Sequence, residues 1–232
     1  MIDFIRKEHY TADDLVMILQ ILRDPQNGCP WDKVQTHMSI RMNFLEEAYE
    51  AVDALDAGDP ELLCEELGDV LMQVAFHAEM EQETGNFTWQ DVCDGVCRKL
   101  IYRHPHIFGV TPGTEGINDW DSLKNKEKGR VTLADELNSV PRAMPALMRA
   151  AKLQKRADRC LGSQPVDCNT MEAAIRQLSV PDPDPRDAEQ ALGRLLFETV
   201  RLARAAGLDP EQALERYNLQ FVQEHCGLGN TD

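Results

Sequence analysis

Apolar residues recur at helical spacing along most of the chain. Leu15, Ile18, Leu19 and Leu22 mark a first amphipathic helix, opened at Thr11 and ended before Asn27-Gly-Cys-Pro-Trp31. A second helix is predicted from about Ser39 to Ala57. A third begins at Asp59-Pro60, where aspartate caps and proline suits the first turn, and ends near Gly85. Thr88 with Asp91 opens a fourth helix that continues to about Arg103, and Asp119 to about Lys128 forms a short fifth. His104 and His106, in Arg103-His-Pro-His106, are expected to shape a loop. No stretch alternates apolar and polar residues as a strand would, so the predicted class is all-α.

The pattern repeats in weakened form. LGDVLMQVAF at residues 67–76 aligns with LGRLLFETVR at 192–201, and Leu45-Glu46 to Tyr49 align with Met171-Glu172 to Ile175. The chain therefore reads as two tandem helical bundles, the second copy degenerate. The stiff segment Val180-Pro-Asp-Pro-Asp-Pro185 replaces the turn between the paired helices. Leu192, Leu195, Leu196, Val200 and Leu202 run along one second-copy helix, as a packing surface would.

Acidic residues interrupt the apolar stripes of the second and third helices. Glu47 and Glu50, and then Glu66 and Asp69, are each spaced i, i+3, which puts each pair on one helix face with Cβ atoms about 5–6 Å apart. Acidic pairs at this spacing usually belong to a solvated face. Here Leu45, Ala48, Tyr49 and Val52 surround the first pair and Leu63, Leu67, Val70 and Leu71 the second, which sets the acids at the edge of a core-facing stripe. The short turn Asp56-Ala-Gly-Asp-Pro-Glu61 folds the two helices antiparallel, so that four carboxylates can point into one space. Such a group is hard to keep ionised without a cation, and hard oxygen ligands favour Mg²⁺ or Mn²⁺.

All four acids are missing from the second copy, where Ala173, Arg176, Ala191 and Arg194 align with them. Lys99 and Arg103, spaced i, i+4 near the end of the fourth helix, are lost as well, with Gln220 and Glu224 in their places. Alone, a basic pair at a helix C-terminus usually compensates the helix dipole. Its loss together with the acids points to a shared task, with carboxylates on metal and cations on phosphate oxygens.

Composition narrows the partners. A formal charge of -16 argues against a nucleic-acid polymer or an anionic membrane as partner. No run of about 18 apolar residues is present and the first residues lack a signal-peptide core, so a soluble cytoplasmic protein is expected. Seven cysteines without a CxxC pair suit a reducing compartment. Cys93 and Cys97 have no facing cysteine or histidine pair and are expected as buried small apolar residues rather than a zinc site.

At these residues the chain resembles a family. Glu46-Glu47-x-x-Glu50 followed by Glu66-x-x-Asp69 is similar to the acidic signature of the MazG-type nucleoside triphosphate pyrophosphohydrolases, all-α relatives of the dimeric dUTPases. Further matches are Asn27-Gly-Cys-Pro-Trp-Asp32 with Gln35-Thr-His37, Arg103-His-Pro-His106, Trp120 followed by Lys124, and Pro145-Ala-Leu-Met-Arg-Ala150. The resemblance implies an N-terminal MazG-like catalytic domain, residues 1–130, and a degenerate second copy, residues 131–232. It implies Mg²⁺-dependent hydrolysis of a nucleoside triphosphate between the α and β phosphates, and a homodimer. Carried over by position, Glu47, Glu50, Glu66 and Asp69 would hold metal, and Lys99 and Arg103 would contact phosphates. Glu46 and Glu50 are both candidates to accept the proton of an attacking water.

Trp31 and Trp120 are open to two readings, stacking on a base or anchoring loops. Lys33 and Lys124 either reach phosphates or stay solvated. In two-domain members of the family the C-terminal copy is expected to be a main site of hydrolysis, and here that copy lacks its ligands. The alternatives are a site moved to the first copy, which retains the complete set, or a non-catalytic nucleotide-binding protein. A di-iron bundle is disfavoured, because neither Glu50 nor Glu66 has histidine three residues on.

Overall fold

Local capping signals fix most helix ends. The computed structural model describes residues 4–109 and 120–226, and among them the chain is helical with no strand. It divides into two compact units, Met1–Ile117 and Asn118–Asp232. Among the described residues no helix is long and apolar enough to cross a membrane.

In the first unit, α1 spans Ala12–Arg23 behind a capping box in which Thr11 and Asp14 exchange hydrogen bonds. A 3-10 turn at Asp32–Val34 leads to α2, Arg41–Ala57. The predicted start at Ser39 is two residues early, because Ser39 and Thr36 use their hydroxyls on each other's backbone N–H and hold a separate turn. Gly58, at φ 66°, ends α2: its N–H reaches Leu55 and that of Asp59 reaches Ala54. Asp59 then caps α3, Pro60–Thr84, by accepting from the N–H groups of Glu61 and Leu62. Thr88 and Asp91 form the capping box of α4, Trp89–Arg103. The expected loop around His104 and His106 is in part a single helical turn, α5, Pro105–Phe108. Proline at its first position costs no hydrogen bond there.

α3 packs against α1, α2 and α4. Its C-terminal half enters the core, where Ala75, Phe76 and Met80 meet Leu19 of α1 and Ile40, flanked by Leu15, Val16, Leu22 and Trp89. Each fully buried large side chain there contributes about 1.5–3 kcal/mol. The N-terminal half is different. Leu67 and Leu71 of α3, and Tyr49 and Val52 of α2, are 40–55% exposed. Among the described residues these four are therefore not core-facing, which corrects the sequence expectation for them, whereas Leu45, Ala48, Leu63 and Val70 are half-buried. Cys93 and Cys97 are likewise half-buried and exposed rather than buried.

In the second unit, α6 (Trp120–Glu127) and α7 (Leu133–Asn138) precede α8 (Ala146–Leu161), α9 (Cys168–Leu178), α10 (Pro185–Ala205) and α11 (Pro210–His225). The predicted Asp119 start of α6 lies outside the described residues. α9 pairs with α10, and α8 packs against α7, α10 and α11. Val200, aligned with the buried Ala75, is itself fully buried, and the fully buried Ala191 aligns with Glu66. Leu192, Leu196 and Leu202 stay nearly half exposed.

Candidate functional site

The α2–α3 hairpin brings Glu47, Glu66 and Asp69 together. Each offers a carboxylate oxygen within 4.8 Å of the others, and all three are half-buried. Among the described residues this is the one group of three or more metal-type side chains so arranged. Glu50 sits at the exposed rim, yet its charge acts on both Glu47 and Glu66. Glu46 is exposed and outside the group.

Electrostatics show the cost of the arrangement. Burial pushes the Glu47 carboxyl above its ordinary value, Asp69 and Glu50 push it further, and an N–H from Gln73 opposes them. Glu66 is raised by burial first, then by Glu50, Asp69 and Glu65. The charges that shift these two groups are all negative. An all-oxygen, uncompensated carboxylate group suits a hard divalent cation such as Mg²⁺ or Mn²⁺, which would replace mutual repulsion by attraction.

Other predicted residues are placed differently. Lys99 is half-buried and Arg103 is 6% exposed, both on α4. Trp31 is 57% exposed beside the 3-10 turn, too open to serve as a core anchor. Lys33 lines a cleft of about 600 Å³ with Gln20, Arg23, Glu79 and Glu83, whose walls include none of the four carboxylates. Trp120 and Lys124 lie on α6, in the second unit.

Three further groups are assigned no role by the sequence. Gln73, four residues beyond Asp69 on α3, is buried, and its Nε2 stands 3.4 Å from Glu47 Oε1. A turn further on, His77 Nδ1 and His37 Nδ1 are 2.7 Å apart in stacked rings, and His37 Nε2 reaches Glu81 at 2.8 Å. Arg23, also buried, joins α1 to α3 and to the loop that carries Trp31. The signal for the first two was present: Asp69, Gln73, His77 and Glu81 recur every four residues, a polar column on one face of a largely apolar helix.

Comparison with known proteins bears on these residues directly. The family described as MazG nucleotide pyrophosphohydrolase domain matches residues 35–108, which include both acidic pairs, Lys99 and Arg103. The chain is 41% identical over 224 residues to the nucleoside triphosphate pyrophosphohydrolase of Escherichia coli (strain K12), covering 90% of this chain and 83% of that protein. It is 38% identical over 215 residues to the nucleoside triphosphate pyrophosphohydrolase/pyrophosphatase MazG of Thermotoga maritima, covering 91% and 82%. A Bacillus subtilis protein named uncharacterized protein YabN is 37% identical over 223 residues, 92% of this chain and 45% of that protein.

Proposed function

The chain belongs to the MazG family of nucleotide pyrophosphohydrolases, and on that premise we propose that it hydrolyses nucleoside triphosphates to monophosphate and pyrophosphate at the carboxylates of α2 and α3. The convergence of Glu47, Glu66 and Asp69 within 4.8 Å carries this reading. Glu47, Glu50, Glu66 and Asp69 would hold Mg²⁺, with Mn²⁺ as a substitute. A cation bound there neutralises phosphate charge and acidifies a water.

The chain's own residues supply the rest. Burial and mutual repulsion raise the Glu47 and Glu66 carboxyls, so protons compete with a cation for these oxygens and binding of the ion would release them. Glu50 is the better supported acceptor for the proton of an attacking water, since it keeps solvent access while acting on Glu47 and Glu66; Glu46 lies outside the group. Lys99 and Arg103 would bind phosphate oxygens from α4, where their charge stabilises the departing pyrophosphate. The exposed face of Trp31 offers a base a stacking surface, with Lys33 near it on the same loop. Trp120 and Lys124, i, i+4 on α6, are a second such pair.

On this reading residues 1–130 form the catalytic copy and 131–232 the degenerate one. Tyr49, Val52, Leu67 and Leu71, exposed beside the acids, would be covered by a second copy in a homodimer. Free cysteines throughout suit a cytoplasmic setting.

Pyrophosphate release from a panel of nucleoside triphosphates with Mg²⁺ tests the proposal. Activity should be lost in Glu50→Gln and Asp69→Asn and kept in Glu172→Gln, whose carboxylate pairs with Arg176 on the surface of α9. Full activity in the first two variants would reject this site, and no pyrophosphate release from the wild-type chain would favour a nucleotide-binding protein without catalysis.

A further inference from the structure

The acid group contains one buried polar side chain that the proposed chemistry leaves unassigned. Gln73 is 6% exposed and sits one helical turn past Asp69. Its Nε2 donates to Glu47 Oε1 at 3.4 Å, the long end of the hydrogen-bond range. Its Oε1 is fully buried and meets no donor among the described residues. Leaving such an acceptor unmade costs about 1–3 kcal/mol, so a site that keeps one has a use for it.

We infer that Gln73 is a positioning residue: its amide N–H fixes the Glu47 carboxylate for a divalent cation, and its carbonyl accepts a hydrogen from a water held in the acid group. This rests on the proposed metal-dependent reading of the same site.

The choice of an amide follows from the charges around it. A lysine or arginine here would neutralise Glu47 and compete with the cation, and a glutamate would add one more negative charge to a group already strained by repulsion. An amide orients the carboxylate without changing its charge, and it alone of these offers both a donor and an acceptor. With one oxygen of Glu47 engaged by Gln73, the other oxygen keeps its lone pairs for the ion. The second unit provides an internal contrast. Glu198 aligns with Gln73 and Arg201 with Phe76, and there Arg201 Nε donates to Glu198 Oε2 at 3.2 Å. Where the metal-type acids are absent, the position has become half of an ion pair.

The test uses the full chain and the metal alone. Mn²⁺ affinity is measured without nucleotide by electron paramagnetic resonance, melting temperature in EDTA, and kcat and KM for pyrophosphate release. Gln73→Met and Gln73→Leu, both close in volume, guard against one of them failing to fold. Each should weaken Mn²⁺ binding by roughly 10- to 100-fold. Melting in EDTA should stay near wild type, because the orphaned acceptor leaves together with the donor. kcat should fall with little change in KM. Wild-type Mn²⁺ affinity in either folded variant overturns the positioning role while leaving the metal site standing. Loss of melting temperature in EDTA without a change in Mn²⁺ affinity would mark Gln73 as packing only. Failure of the wild-type chain to bind Mn²⁺ would remove both this inference and the metal reading beneath it.

Discussion

The guanidinium of Arg23 meets the carboxylate of Glu83 through two parallel hydrogen bonds, Nε to Oε1 at 2.6 Å and Nη2 to Oε2 at 2.7 Å. Its remaining nitrogen, Nη1, donates to the backbone carbonyls of Asp32 at 2.7 Å and Gln35 at 3.2 Å, and the group lies over the Phe76 ring. One buried cation thus ties α1, α3 and the Trp31 loop together. Only a planar fork reaches all three, so Arg23→Lys should lower stability by about 2 kcal/mol in urea unfolding. Glu83→Gln, on the more exposed side of the pair, should cost less. An unchanged unfolding midpoint in Arg23→Lys would show that the loop is held by other means.

Glu66 gives the clearest link between charge and stability. Its folded pKa lies above the ordinary 4.5, raised by burial and by Glu50, Asp69 and Glu65. The folded chain therefore holds this proton more tightly than the unfolded chain, and metal-free stability should rise as pH falls through the raised value, with the full gain below 4.5. Glu66→Gln should melt higher than wild type in EDTA at pH 7.5. Mg²⁺ should raise the wild-type melting temperature through mass action and leave the variant nearly unmoved. Equal Mg²⁺ stabilisation of both would separate the ion from this carboxylate.

His77 predicts the opposite slope in the neutral range. Burial first, and then the charge of His37, pull it below 6.5. The unfolded chain binds this proton more readily, so stability is full above about 6.5 and declines as pH drops through the folded value. The two Nδ1 atoms can share one proton but not accommodate two, which sharpens the effect. Melting curves between pH 7.5 and 5.5 should show a steeper decline for wild type than for His77→Phe. Parallel curves would mean that the stacked imidazoles do not set the acid limit.

Leu55, on α2 beyond Val52, is 60% exposed. If a second copy covers this face, Leu55→Glu should shift the chain from dimer to monomer in light scattering, since each such leucine contributes about 1.5–3 kcal/mol when buried. The same mass for wild type and variant would remove this helix from the interface.

Local signals explain what could be read directly from the chain. Thr11 with Asp14, Thr88 with Asp91, and Asp59 with Pro60 each define a helix start through bonds that span two or three residues. The i, i+3 spacing of the acids places them by helix geometry alone. Arg23 with Glu83, His37 with His77, and Gln73 with Glu47 are separated by tens of residues, so the spacing on α3 marks Gln73 and His77 as one polar face but announces none of these partners. Burial around the acids departs from the sequence pattern for another reason. Tyr49, Val52, Leu67 and Leu71 carry a core-like pattern but stay 40–55% exposed among the described residues. Periodicity reports which face is apolar, not what will meet it.

The left-handed Gly58 and the cap at Asp59 hold the spacing between α2 and α3. One residue added between them would break the paired caps and change the register of α3 against α2. Asp69 and Gln73 would then swing off Glu47 together, although neither touches the turn. The convergence of the carboxylates is thus written partly in chain length, at a bend that contributes none of them, and a single inserted alanine there would disperse the group more completely than trimming any one carboxylate.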